Sequence, residues 1–179
     1  RWAKAERVVI MSATLLSPDQ VCADLGIPRK DVAWLDLDSD FPARRRPVYY
    51  TPVVALTHKT EEDALPQILA AVDRIIDDHK GEKGVIHTVS YPRAAYLMRN
   101  SKHQSRLFSY RGSADRNKAL EQFKQSDDDL VLVAPSMERG VDLPNELCRF
   151  QIICKVPWPN KGDRQFAARL YSGEQGQRW

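Results

Sequence analysis

Apolar residues fall along this chain in two patterns, short unbroken runs and longer stretches spaced by three and four. Unbroken runs of this kind are strands buried on both faces, and spaced stretches are helices with one apolar stripe. Strands are predicted over residues 8–11, 32–37, 48–54, 85–89, 106–110 and 149–156, and in the run opening at Val131. Helices are predicted from residue 18 to about 25, over 65–79 and 93–100, after Ser113, and over 163–171. In the second of these, Leu65, Ile68, Leu69, Val72, Ile75 and Ile76 form the stripe, which is core and not a cofactor box.

Punctuation agrees with the periodicity. Ser17-Pro18 supplies an N-cap and a first-turn proline, and Gly26 with Pro28 closes that helix. Lys80-Gly81 ends the helix at 79, the segment 42–47 is a linker, and Asp127-Asp128-Asp129 is a solvated acidic turn. No internal repeat or low-complexity tract occurs. Alternating strands and helices make βαβ units, so the expected fold is α/β, a mainly parallel sheet with helices on both faces.

In such sheets ligands sit beyond the carboxyl ends of the strands, so the strand ends are where chemistry is sought. Three of them are polar in a similar way. V-L-V-A-P-S-M-E-R-G-V-D-L-P-N spans 131–145, R-V-V-I-M-S-A-T-L-L-S-P spans 7–18, and G-V-I-H-T-V-S-Y-P-R-A spans 84–94. Each apolar run ends in small hydroxyl residues.

Composition narrows the setting. With 179 residues and 42% hydrophobic content the chain can bury a real core. No apolar run approaches ~18 residues, so no membrane-spanning helix is expected, and no secretory leader is visible. The formal net charge of +3 is mild. Arg44-Arg45-Arg46 reads first as a solvated face, and Arg99, Lys102, Arg106 and Arg111 follow the strand at 85–89; such clusters can serve nucleic acid. Cys22, Cys148 and Cys154 lack C-x-x-C spacing and are expected as buried thiols in a reducing compartment. His58, His79, His87 and His103 are scattered, so no metal site is expected.

Taken in order, the three strand ends resemble superfamily 2 nucleic-acid helicases, most closely the DinG/XPD (Rad3)-like group. Ser12-Ala13-Thr14 resembles motif III, residues 88–91 motif IV and residues 136–142 motif V, over roughly 8–177. The resemblance implies a RecA-like three-layer α/β/α fold. It implies that residues 1–16 end a first motor domain and that 17–179 are a second RecA-like domain, truncated before the arginine-rich motif VI. The parent would be an ATP-dependent DNA helicase, a nucleoside triphosphate hydrolase, working on single-stranded DNA, with RNA left open, in the cytoplasm (nucleoid) or nucleus. No G-x-x-x-x-G-K-[ST] loop or D-E-A-H-like box occurs, so ATP and Mg²⁺ would be held mainly by the first RecA-like domain and the fragment would be inactive alone. Any iron–sulfur cluster of the kind many relatives carry would also lie in that first domain.

The same resemblance assigns roles. Thr88, Ser90, Ser136 and Ser113 would grip strand phosphates through hydroxyls and backbone N–H groups; Arg93 and Arg111 would add charge-assisted contacts; Tyr91 or Trp158 would stack on a base. For Tyr91 and Trp158, ordinary packing is the competing reading. Glu138, Gly140 and Asp142 would face the nucleotide or the partner domain, with glycine allowing close approach and Asp142 accepting from a ribose hydroxyl or an arginine. Arg139 lies in the same motif as its weakest member. Ser12, Ala13 and Thr14 would couple the ATP and nucleic-acid sites; the competing reading is a turn into the helix at Pro18. Two other classes stay open: a non-catalytic nucleic-acid or protein binding module of RecA-like fold, and a Rossmann-like enzyme, the latter disfavoured by the lack of G-x-G-x-x-G.

Overall fold

Four of the predicted apolar runs become strands of one all-parallel sheet: β1 (Gly84–His87), β2 (Leu107–Ser109), β3 (Val131–Ala134) and β4 (Phe150–Ile153). The order across the sheet is β2-β3-β1-β4. β1 lies against β3 with Gly84 opposite Val131, and against β4 with Gly84 opposite Phe150. The structure is a computed structural model that describes the chain apart from residues 1–4, 13, 14, 16, 41, 58, 113, 138–140, 158–161 and 172–179, and apart from the side chains of 165 and 169. Five α-helices accompany the strands among the described residues: α1 (Pro18–Leu25), α2 (Glu61–Asp78), α3 (Tyr91–Asn100), α4 (Arg116–Gln125) and α5 (Arg164–Leu170). Contacts divide the chain into two units, Arg1–Tyr50 and Thr51–Trp179.

In the second unit the strand pleat sends alternate residues to opposite faces. Ile86, Val131, Val133, Phe150 and Ile152 meet Ala64, Ile68, Val72 and Ile76 of α2 and Ala94 and Leu97 of α3 on one face. Val85, Leu132 and Ala134 meet Ala119 and Phe123 of α4 on the other, with Tyr110 and Met137. Helices on both faces of a parallel sheet make the three-layer α/β/α arrangement of a RecA-like fold. All four residues of β3 are buried, as a strand at the centre of such a sandwich requires.

Local chemistry explains the helix limits. α2 starts a turn before its predicted first residue, because Glu61, Glu62 and Asp63 favour the positive end of the helix dipole and Ala64 is already buried. Its other end is held by Arg106, which donates from Nη2 to the carbonyls of His79 (3.1 Å) and Glu82 (2.8 Å) and from Nη1 to that of Ile76 (3.3 Å). Arg106 also pairs with Asp129 at 2.9 Å. Lys83, buried just before β1, donates from Nζ to the carbonyls of Phe123 (2.8 Å) and Ser126, closing the end of α4 with a cation where the dipole favours one.

The first unit holds α1 and two short 3-10 turns, Arg29–Asp31 and Ala43–Arg45. α1 follows expectation: Ser17 Oγ accepts from Gln20 N, and Gly26 at φ 67° ends it in the left-handed region. The predicted strands 8–11 and 32–37 do not form among the described residues, nor does 48–54. A strand needs a neighbour to take its backbone hydrogen bonds, and these segments have none there; Val9, Met11, Leu35, Leu37, Val48, Tyr49 and Tyr50 are exposed. Val54 and Leu56 pack instead against the α2 face of the second unit's core. No described helix is long and apolar enough to cross a membrane.

Candidate nucleic-acid interface

The connection leaving β1 leads to β2 at one edge, and that leaving its neighbour β3 leads to β4 at the other. Neighbouring strands whose connections part in this way open a crevice beyond their carboxyl ends. Here the chain places hydroxyl groups from three successive strand ends in one network. Ser136, two residues past β3, donates from its backbone N to Tyr110 Oη at 3.1 Å. Its Oγ lies 3.2 Å from Tyr110 Oη and 3.3 Å from Tyr91 Oη. Tyr110, one residue past β2, is 6% exposed, whereas Tyr91, opening α3 beyond β1, is 41% exposed. A buried phenol whose ring fills the α4-side core and whose tip fixes the loop after β3 uses both halves of a tyrosine.

Arg111 follows Tyr110 directly and is exposed, with no hydrogen bond or ion pair among the described residues. Farther along, Val141 and Leu143 pack against the α4-side core and leave Asp142 between them exposed. Tyr91, Ser136 and Arg111 therefore present polar tips at the strand ends, and Asp142 keeps an open carboxylate.

Other predicted site residues are held differently. Thr88 is wholly buried: its N donates to the Ala134 carbonyl (3.1 Å) and its Oγ1 to the Ser90 carbonyl (3.0 Å). Ser90 caps α3, its Oγ accepting from Arg93 N at 3.4 Å, which leaves a half-buried hydroxyl committed to the helix. Arg93, expected to contact phosphate, is 1% exposed; its guanidinium donates to the Thr88 carbonyl and to Glu61 Oε1 at 2.6 Å. A buried cation needs a partner, and Arg93 takes it from α2. Ser12 is exposed, outside any helix or strand of the first unit. Ala13, Thr14, Ser113, Glu138, Arg139, Gly140 and Trp158 lie outside the described residues.

Of the basic cluster after β1, Lys102 pairs with Asp77 and Arg106 holds the end of α2, leaving Arg99 and Arg111 exposed. The hydrogen bond from Lys102 holds the Asp77 carboxyl below its ordinary range. Burial pushes the Cys154 thiol up to about 11, against a weaker opposite pull from the Arg93 charge, and pushes Cys148 up as well. All three cysteines are free. No cluster of three or more His, Cys, Asp or Glu side chains among the described residues could hold a metal. Sequence reasoning missed Tyr110 and Glu61; the one available signal was a polar-tipped aromatic at the end of an apolar run.

A three-layer α/β domain with an all-parallel sheet and polar strand ends is consistent with a RecA-like fold. The family model for the helicase C-terminal domain matches residues 75–178, more than half of the chain, and the chain belongs to that family. The match supports the DinG/XPD/Rad3-like reading drawn from its motifs. No curated protein and no solved structure gave a match.

Proposed function

We propose that this chain is the second RecA-like domain of an ATP-dependent DNA helicase, supplying half of the single-strand track and one wall of the ATP cleft. The observation that most supports the track is the convergence of Tyr91, Tyr110 and Ser136 from three strand ends, with Arg111 exposed one residue past Tyr110, inside the family-matched segment. Exposed Tyr91 offers a π-face that any base can stack on, and Arg111 a cation for phosphate. Residues 1–16 would end the first motor domain, and 17–179 the second.

ATP with Mg²⁺ would be held mainly by that first domain, and its hydrolysis would drive the opening and closing of the cleft. Asp142 fits the far wall, since an exposed carboxylate can accept from a ribose hydroxyl or from an arginine of motif VI. Glu138 and Gly140 would flank it, and Ser12, Ala13 and Thr14 would link the two lobes. Any iron–sulfur cluster would sit in the first domain, and the parent would work in the cytoplasm or nucleus.

Titration of fluorescein-labelled single-stranded DNA with the chain tests the track. Saturable binding is expected, weakening with salt as phosphate contacts release counterions, and Arg111→Ala should lower affinity about 3- to 10-fold and flatten the salt slope by about 0.7. Salt-independent or absent binding would remove the strand-track reading and favour a protein-binding module.

A further inference from the structure

The turn between β1 and α3 carries an unusual backbone. Val89 has φ 55°, in the left-handed region, where a β-branched residue is strained. Both flanks are pinned. Thr88 uses its N, Oγ1 and carbonyl O in hydrogen bonds, to Ala134, Ser90 and Arg93 in turn, and Ser90 is fixed as the N-cap of α3. The bend from strand to helix therefore falls on the one residue between them.

Arg93 is the member of this set that reaches outside it. Its guanidinium joins the Thr88 carbonyl to Glu61 at the start of α2, across 32 positions of sequence. It is 1% exposed, and its Nε has no hydrogen-bond partner among the described residues. Burying a cation with a spare donor is costly, and apolar side chains of similar volume in place of a whole buried pair are often no less stable. The arrangement suits geometry better than stability.

We infer that Arg93 and Glu61 form a clamp that holds the strained Val89 turn and so sets the direction in which Ser90 and Tyr91 leave β1, making Arg93 a positioning residue and not a phosphate ligand. The inference rests on the proposed strand-binding role for its bearing on DNA; the clamp itself does not.

A double-mutant cycle between Glu61→Gln and Val89→Gly separates the two. Gln keeps the shape of Glu61 and weakens the hold on Arg93; Gly accepts φ 55° without strain. With the clamp weakened, the Val89 chain regains part of its loss by relaxing the turn, whereas the V89G background has no strain to regain. E61Q should therefore lower Tm more in the V89G background than in wild type, by about 2–4 °C. Single-stranded DNA affinity should move the other way, falling about 5-fold in E61Q alone and recovering in E61Q/V89G, where the turn keeps its direction. Additive Tm changes would overturn the clamp. Coupled Tm changes with DNA affinity unmoved by E61Q in a chain that binds DNA would overturn its positioning role. If the wild-type chain fails to bind DNA, the strand-track reading falls, and the Tm cycle still decides the clamp.

Discussion

Single side chains at the strand ends differ in what they are free to do, and burial decides it. Thr88 and Arg93 have sequence neighbours as polar as Arg111 has, yet both are enclosed and bonded while Arg111 stands in the open. Among the described residues at the ends of β1, β2 and β3, Tyr91, Arg111 and Asp142 are exposed and Ser136 is half-buried. Cys154 is a second consequence of enclosure. Its thiol, raised from 9.0 to about 11 by burial, stays protonated in the fold while the unfolded chain ionises. A raised folded value means that its contribution to stability is whole below pH 9 and is lost as pH climbs towards about 11. Urea midpoints measured from pH 8 upward should fall more steeply for wild type than for Cys154→Ala; parallel curves would assign the slope elsewhere.

At the level of elements, packing of strands against helices explains both the agreement with periodicity and its limits. α1 and α3 begin at their Ser-Pro and Ser-Tyr-Pro starts, and the α2 stripe at three and four spacing is the one that meets the sheet. The first residue of β1 has no room for a side chain unless Phe150 shifts. A Cβ at Gly84 would lie 2.4 Å from Phe150 Cζ, and the Phe150 ring is itself stacked on His79 at 4.3 Å between centroids. Gly84→Ala should cost about 1–3 kcal/mol, seen as a lowered thermal midpoint. Pairing it with Phe150→Leu should recover part of that loss, and equal midpoints for the single and double variants would mean that the ring is not the obstacle. Nothing in the chain order alone shows that Gly84 and Phe150 are neighbours, because their pairing is made by the β1–β4 register.

For the molecule as a whole, the division at Tyr50 separates a sheet domain from a leading segment with one eight-residue helix, α1. Residues 5–11 are exposed and carry no strand pairing among the described residues, although their apolar run reads as a strand. Their amides should exchange at near-unprotected rates while those of β1 and β3 stay protected, and strong protection over 5–11 would show that they pair after all. The amino-acid sequence by itself determined the alternation of strands and helices from α2 to β4, the capped start of α1, and the polar strand ends after β1 and β3, because periodicity, caps and turns are written in residues a few positions apart. Only the tertiary structure decided that β1 and β3 lie side by side, that Tyr110 and Tyr91 meet on Ser136, and that Arg93 is spent on Glu61 while Arg111 is exposed. Those outcomes depend on which distant groups can satisfy a buried charge or a strand edge, and that is settled by the packed fold.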